Sequence, residues 1–278
     1  MIIVVGIGRC GTTYLFNTFY HYAKSKGKIY SGEPFSPWYD QNFRFKIEFH
    51  AKLESKFHYT DRFGFWLDEY TLNERSDMTN SALSLYKRHH KKSLGFKTIS
   101  LAEYKVFRRV FPNCKIIFAD RNAAARLNSM NMWDNKSPGA WLTTYKNLSK
   151  RMHSVGPSKR IKNYIEKFVS SVCDKKENNK LYYMAMFWEI VNKNWKCSLP
   201  NDSLIINYED IFTNPELEWT RICDYCDIPM LPQKIITPNY NLRRNNVKQG
   251  IMHDYDTILD VTEKLESWIS KNPKWRIR

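Results

Sequence analysis

The chain has 278 residues and carries 44 Lys+Arg against 28 Asp+Glu, a formal net charge of +16. Hydrophobic residues make up 42%, and Gly and Pro only 10 and 11 positions, which excludes disorder or a collagen-like repeat as the main state. A chain of this length forms a substantial core without disulfide or metal staples. The charge is concentrated in three windows free of Asp and Glu. Residues 78–102, 135–165 and 228–253 carry five, seven and four Lys/Arg, which together equal the whole excess. Such windows call for anionic partners, but charge alone does not separate nucleic acid, acidic glycan, nucleotide and membrane surface, and a solvated face needs no partner.

Met1–Val5 is a short, fully apolar, β-branched run, the pattern of a central parallel strand. It has no cationic stretch before it and leads into glycines, so it reads as a strand and not as a signal peptide. Gly6 to Gly11 form a loop, and a helix opens at Thr12, giving the first half of a βαβ unit. A second strand is predicted near Lys28–Tyr30, ending at Ser31-Gly32-Glu33-Pro34. Residues 41–56 suggest a helix, 57–80 an irregular aromatic insertion, and Ser81–His90 a helix. Ser93–Ile99 reads as a strand, Leu101–Val110 as a helix, and Lys115–Ala119 as the clearest second core strand. A helix follows over Ala123–Met132. The region 138–197 is largely helical, divided by Gly156-Pro157 and by Asp174–Lys180. Leu204–Ile206 is a third buried strand, and Asn214-Pro215 starts a helix in the manner of a cap followed by a first-turn proline. Residues 228–253 read as a basic loop and 258–271 as a final helix. Strands separated by helices predict a three-layer α/β/α fold around a central parallel sheet, in one domain spanning 1–278. Substrate-binding insertions are expected within 34–92 and 133–200.

Six cysteines stand at 10, 114, 173, 197, 223 and 226. Cys223 and Cys226 form a single CxxC within an amphipathic pattern and read as core residues, because no second pair completes a zinc site. No HExxH or calcium-loop pattern occurs, so no metal is expected. No apolar run approaches the about 18 residues of a membrane span, so no transmembrane anchor is expected.

The glycine loop carries the first chemistry. Gly6 to Gly11 match GxxxxG, but Thr12 stands where a nucleotide triphosphatase needs lysine for the terminal phosphates. The remaining design still suits an anion: bare backbone amides, the positive end of a helix, two threonine hydroxyls, and the Arg9 cation. The alternative is a tight structural turn.

Arg9-Cys10-Gly11-Thr12-Thr13 resembles the 5′-phosphosulfate loop of the sulfotransferases that use 3′-phosphoadenosine 5′-phosphosulfate (PAPS), whose usual form is (Lys/Arg)-x-Gly-Thr-(Thr/Ser). In that family an arginine followed eight residues on by a serine holds the 3′-phosphate. Arg121 and Ser129 supply this pair after the strand 115–119, with Ala123 where proline is frequent. Ile206-Asn207-Tyr208-Glu209-Asp210-Ile211 with Asn214-Pro215 is similar to a further family segment. Arg243 and Arg244 lie where relatives place basic contacts to cofactor phosphates, as a looser match. The resemblance spans about residues 1–270, with little match in the intervening stretches.

The resemblance implies a P-loop-like sulfotransferase fold, PAPS as donor with PAP as product, and no metal. It places Arg9 beside the transferring sulfonate, where it stabilises charge but cannot donate a proton near neutrality. Cys10, Gly11, Thr12 and Thr13 would receive the 5′-phosphosulfate. Tyr14 would stack on adenine or, on the other reading, pack in the core. Tyr208, Arg243 and Arg244 complete the implied cofactor contacts. A hydroxyl acceptor needs a base, and Glu33 is the candidate; with an unperturbed value of about 4.3 it is ionised but weak, so burial should raise it. The alternative is a surface glutamate in a turn. Histidine is the other base of the wider family, with candidates His50, His58, His89, His90 and His253. Lys97, near the end of its strand, is a candidate contact either to the substrate or to the cofactor sulfonate. Asp68 and Glu69 sit in an aromatic loop fit either to stack on sugars or to pack as a lid. Glu209 is expected to brace loops through backbone amides.

The acceptor expected from this resemblance is a carbohydrate or glycolipid, anionic if one of the basic windows borders its cleft. A cytoplasmic bacterial or viral protein fits the Asn-, Lys- and Tyr-rich composition, and a truncated Golgi lumenal domain would look the same. Two rivals stand: a small-molecule kinase, against which the missing lysine counts, and a basic nucleic-acid-binding protein, for which no zinc finger, homeodomain or RNP signature appears. A catalytically dead glycan-binding protein is a third. Oligomeric state is open.

Overall fold

The computed structural model describes residues 1–32, 91–99, 101–136, 157–173, 179–232 and 252–273, with the single positions 80 and 236. Its strands are β1 (Ile2–Val5), β2 (Ile29–Gly32), β3 (Ser93–Thr98), β4 (Lys115–Asp120) and β5 (Leu204–Asn207). Its helices are α1 (Thr12–Ser25), α2 (Leu101–Val110), α3 (Ala123–Lys136), α4 (Pro157–Val172), α5 (Asn179–Ser198), α6 (Asp210–Thr213), α7 (Pro215–Cys226) and α8 (Met252–Lys271). Contacts divide the chain into two compact units, one of Met1–Asp120 with Leu199–Pro238 and one of Arg121–Ser198 with Asn239–Arg278.

The first unit holds a five-stranded, all-parallel sheet in the order β2-β3-β1-β4-β5. β1 is buried along its whole length, as an unbroken Ile-Ile-Val-Val run must be when both faces are covered. Ile2 and Val4 face the cluster built by Phe19 of α1 and Trp219 and Ile222 of α7. On the opposite face Phe96, level with Ile3, packs against Phe107 of α2 with ring centroids 4.0 Å apart. Helices therefore cover both faces, and the three-layer expectation holds. Gly95 is required by the approach of two backbones: a Cβ there would lie 1.8 Å from the Ile2 carbonyl oxygen, level with it in the neighbouring strand. Strand succession reverses beside β1, which places the loop after β1 at the sheet's switch point, where open α/β sheets bind ligands.

The second unit is helical among its described residues. α4 turns Ile161, Ile165, Phe168 and Val169 inward against α5, which supplies Met184, Phe187, Trp188 and Trp195 to the core. α8 packs on α3 and α5 through Ile258, Val261 and Leu265, and the Tyr182 hydroxyl of α5 meets Asp260 at 3.2 Å. α3 runs to Lys136, beyond its predicted end, and α8 begins at Met252, ahead of its predicted start at 258. Pro215 occupies the first turn of α7 as expected, but Asn214 provides no side-chain cap; its amide turns back to Thr213 at 3.4 Å. The predicted helices at 41–56 and 81–90, the insertion 57–80 and most of the basic loop 228–253 lie outside the described residues.

Candidate anion-binding site

The loop leaving β1 is built from three close approaches. A Cβ on Gly6 would stand 2.7 Å from the Ala119 carbonyl oxygen of β4 and 3.0 Å from the Thr12 methyl. The Cys10 amide donates to the Ile7 carbonyl at 3.4 Å, tightening the turn. Arg9 then takes a left-handed φ of 70°, a conformation a non-glycine residue adopts at a cost of about 1 kcal/mol and one that clusters at functional sites. Gly11, at φ 88°, is the N-cap of α1, and its carbonyl accepts from Tyr14 at 2.9 Å and Leu15 at 3.3 Å. The Tyr208 ring lies so close that a Cβ on Gly11 would stand 2.0 Å from it. Thr12 and Thr13 are the first residues of α1, so their amides lack intrahelical acceptors, and the first turn contains no acidic residue. Bare amides and the positive helix end make this an anion-receiving corner.

The charge comes from the neighbouring strand. Lys97, near the carboxyl end of β3 and level with Val4, is 2% exposed, and its Nζ donates to Thr13 Oγ1 at 3.5 Å. Thr12 is itself buried, its methyl against Gly6. The position that holds lysine in nucleotide triphosphatases is thus a packed threonine, and an ammonium reaches the loop from β3 instead. An anion in this corner would receive a charge-assisted hydrogen bond from that ammonium.

Two of the implied contact residues turn their side chains into the core. Tyr14 is a core residue: its hydroxyl donates to the Ile236 carbonyl at 2.6 Å, and its ring meets Phe212, Trp219 and Tyr208 at 5.4, 6.1 and 6.3 Å. Burial pushes its hydroxyl up from 10.0 to about 12, which the nearby Trp219 indole partly offsets. A ring so enclosed has no face to offer adenine. Cys10 is wholly buried, its side chain turned away from solvent while its backbone forms part of the loop. Glu209 does brace the turn after β5, but through its carbonyl, which accepts from Phe212 at 3.0 Å and Thr213 at 3.2 Å, with no side-chain cap on α6. Asn207 closes the same turn by donating to Asp210 at 2.9 Å.

Comparison with known proteins decides the family. A family model described as the sulfotransferase domain matches residues 1–276. The chain belongs to the sulfotransferase family. No curated protein sequence matches it. Among solved structures, a sulfotransferase from Mycobacterium avium aligns at 14% identity and TM-score 0.47, covering 97% of this chain and 76% of that one. A sulfotransferase from Alicyclobacillus acidocaldarius aligns at 13% identity and TM-score 0.41 over 99% and 98% of the two chains. A sulfotransferase domain from the curacin biosynthetic pathway aligns at 12% and 0.41, over 86% and 77%.

In this sulfotransferase the second implied phosphate pair lies in the second unit. Arg121 directly follows β4 and Ser129 sits on α3, both partly buried. Asn122 between them caps α3, its Oδ1 accepting from the Ala124 and Ala125 amides at 2.9 and 3.2 Å. Glu33, Arg243, Arg244, His50, His58, His89, His90, Asp68 and Glu69 lie outside the described residues, as does the side chain of His253. Among the described residues no group of three or more His, Cys, Asp or Glu is placed to hold a metal, and no helix is long and apolar enough to cross a membrane. The packing of Tyr208 on Gly11 was not foreseen from sequence; it joins residues 197 positions apart, and no local pattern signals it.

Proposed function

We propose that this sulfotransferase moves a sulfuryl group from PAPS to a hydroxyl of a carbohydrate or glycolipid. The observation that carries the donor assignment is the corner where Lys97 meets Thr13 beside the left-handed Arg9–Gly11 loop. Its donors are amides, hydroxyls and cations with no acidic residue in the helix's first turn, a set suited to a sulfated phosphate. PAPS, when bound, supplies the activated sulfuryl group. Arg9 and Lys97 stabilise charge that builds on the sulfonate and on the bridging oxygen, and the amides of Gly11, Thr12 and Thr13 with the Thr13 hydroxyl hold the 5′ end. Arg121 and Ser129 recognise the 3′-phosphate. Tyr208, Arg243 and Arg244 are further proposed contacts to the cofactor, and Glu33 takes the proton from the acceptor hydroxyl.

Thermal-shift measurements with PAP, PAPS and ATP test the donor, and mass spectrometry of a glycan panel incubated with PAPS tests the acceptor. PAP and PAPS are expected to stabilise the protein and ATP far less. Stabilisation by ATP without PAP would favour a kinase and overturn the reading. Glu33→Gln is expected to abolish turnover with PAP affinity kept, and undiminished turnover would move the base elsewhere.

A further inference from the structure

α3 carries both residues proposed for the 3′-phosphate, Arg121 just before it and Ser129 within it, so the rotation of this helix sets how they are aimed. Three successive alanines, 123–125, open it, and they offer little bulk to interlock with neighbours. Beyond them Leu127 and Met130 are buried, and a small cavity alongside is lined by these two, by Ala185, Trp188 and Leu265, and by Arg126 itself. Apolar contact there is non-directional. A polar tether crosses the same region: the Arg126 guanidinium meets the Glu189 carboxylate of α5 at 2.9 Å, with side chains 4% and 17% exposed.

A buried ion pair is poorly explained as a stabiliser, since two well-packed apolar side chains do as well or better. Its distinctive property is direction. Ser129 stands three residues beyond Arg126, one turn along the same helix. Rotating a helix by about 20° carries an atom about 5 Å from its axis through about 1.7 Å. That displacement takes a hydroxyl out of hydrogen-bonding range. We infer that Arg126 and Glu189 are positioning residues that fix the rotation of α3 and thereby the aim of Ser129 and Arg121 at the 3′-phosphate. The inference rests on the reading of those two residues as its ligands.

Calorimetric affinities for PAP and for 5′-AMP, which lacks the 3′-phosphate, test it. The wild type is expected to prefer PAP by about 100-fold, and Arg121→Ala to collapse that preference. Glu189→Gln is expected to weaken PAP binding about tenfold and leave 5′-AMP unchanged. A pair with only a structural role would lower the melting temperature and keep the PAP to 5′-AMP ratio. Should Glu189→Gln fail to fold, the double variant Arg126→Met/Glu189→Met removes both charges without stranding either, and it is expected to fold and to show the same tenfold loss. An unchanged ratio in a folded variant overturns the inference alone. A wild type without preference for PAP overturns it together with the ligand reading.

Discussion

At the scale of single residues, two glycines of positive φ separate sterics from conformation. Gly27 stands at φ 62° with nothing within 4 Å of an added Cβ, whereas Gly11 stands at φ 88° against the Tyr208 ring. Gly27→Ala is expected to cost about 1 kcal/mol, the ordinary price of a left-handed L-residue. Gly11→Ala adds an overlap that the ring can relieve only by leaving the loop, so denaturant melts should show a loss of about 3 kcal/mol or more, with PAP binding lost as well. Gly11→Ala/Tyr208→Ala should recover stability relative to Gly11→Ala; if the two changes instead add without coupling, the ring is not what confines the loop. Lys97→Met tests the cation from β3. Removing one preorganised donor from a developing charge typically costs about 100-fold or more in turnover, and that loss in kcat, read in a PAPS-saturated assay, is expected here. The loop itself was legible in sequence, because its glycines, arginine and threonines are contiguous and each has a local reason. Tyr14 was legible only as two alternatives, because its surroundings, Trp219 and Ile236, come from chain more than 200 residues away.

Among elements, the strands were the most legible, since short β-branched runs bounded by glycine, proline or aspartate leave few other assignments. What escaped was why Gly95 interrupts the apolar run of β3. The answer lies in β1, whose Ile2 carbonyl would sit 1.8 Å from a side-chain carbon there. Backbone in the centre of a sheet cannot give way, so Gly95→Ala is expected to prevent folding or to cost more than about 4 kcal/mol, read by circular dichroism and denaturant melts. The start of α8 escaped for another reason: residues 252–257 are mostly polar, and their helix has little apolar period to announce it. The layer between α1, α7 and the sheet also sets a pH response. Burial raises the Cys226 thiol from 9.0 to about 12, with Cys223 adding to the effect, and raises Tyr14 from 10.0 to about 12. The unfolded chain releases these protons near their ordinary values while the folded chain keeps them. Stability from these groups is therefore complete below pH 9 and is lost as pH climbs towards 12. Urea midpoints at pH 8 and pH 10.5 should differ, and Cys226→Ala/Tyr14→Phe should narrow the difference. Equal midpoints in the wild type would show that these protons are not held.

For the whole molecule, the +16 charge is a separate matter from the proposed donor site. Arg9 and Arg121 lie outside the three acid-free windows, and Lys97 is the member of those windows that reaches the loop corner among the described residues. A donor with two phosphate-bearing positions needs only a few cations, so most of the excess has no task there. If a window borders the acceptor, its charge acts through solvent at distances comparable to the screening length, about 10 Å at 0.1 M salt. Acceptor turnover then depends on ionic strength in a way donor binding at saturation does not. With PAPS saturating, kcat/KM for a carboxylated or already sulfated glycan is expected to exceed that for its neutral counterpart. That ratio should fall several-fold between about 20 and 300 mM salt. Lys146→Gln/Lys150→Gln/Arg151→Gln, within the window 135–165, should lower the ratio at low salt and flatten its salt dependence. A ratio near one at every salt concentration, untouched by the triple variant, would mean that these cations are a solvated face and that the acceptor is chosen by shape and hydrogen bonding alone.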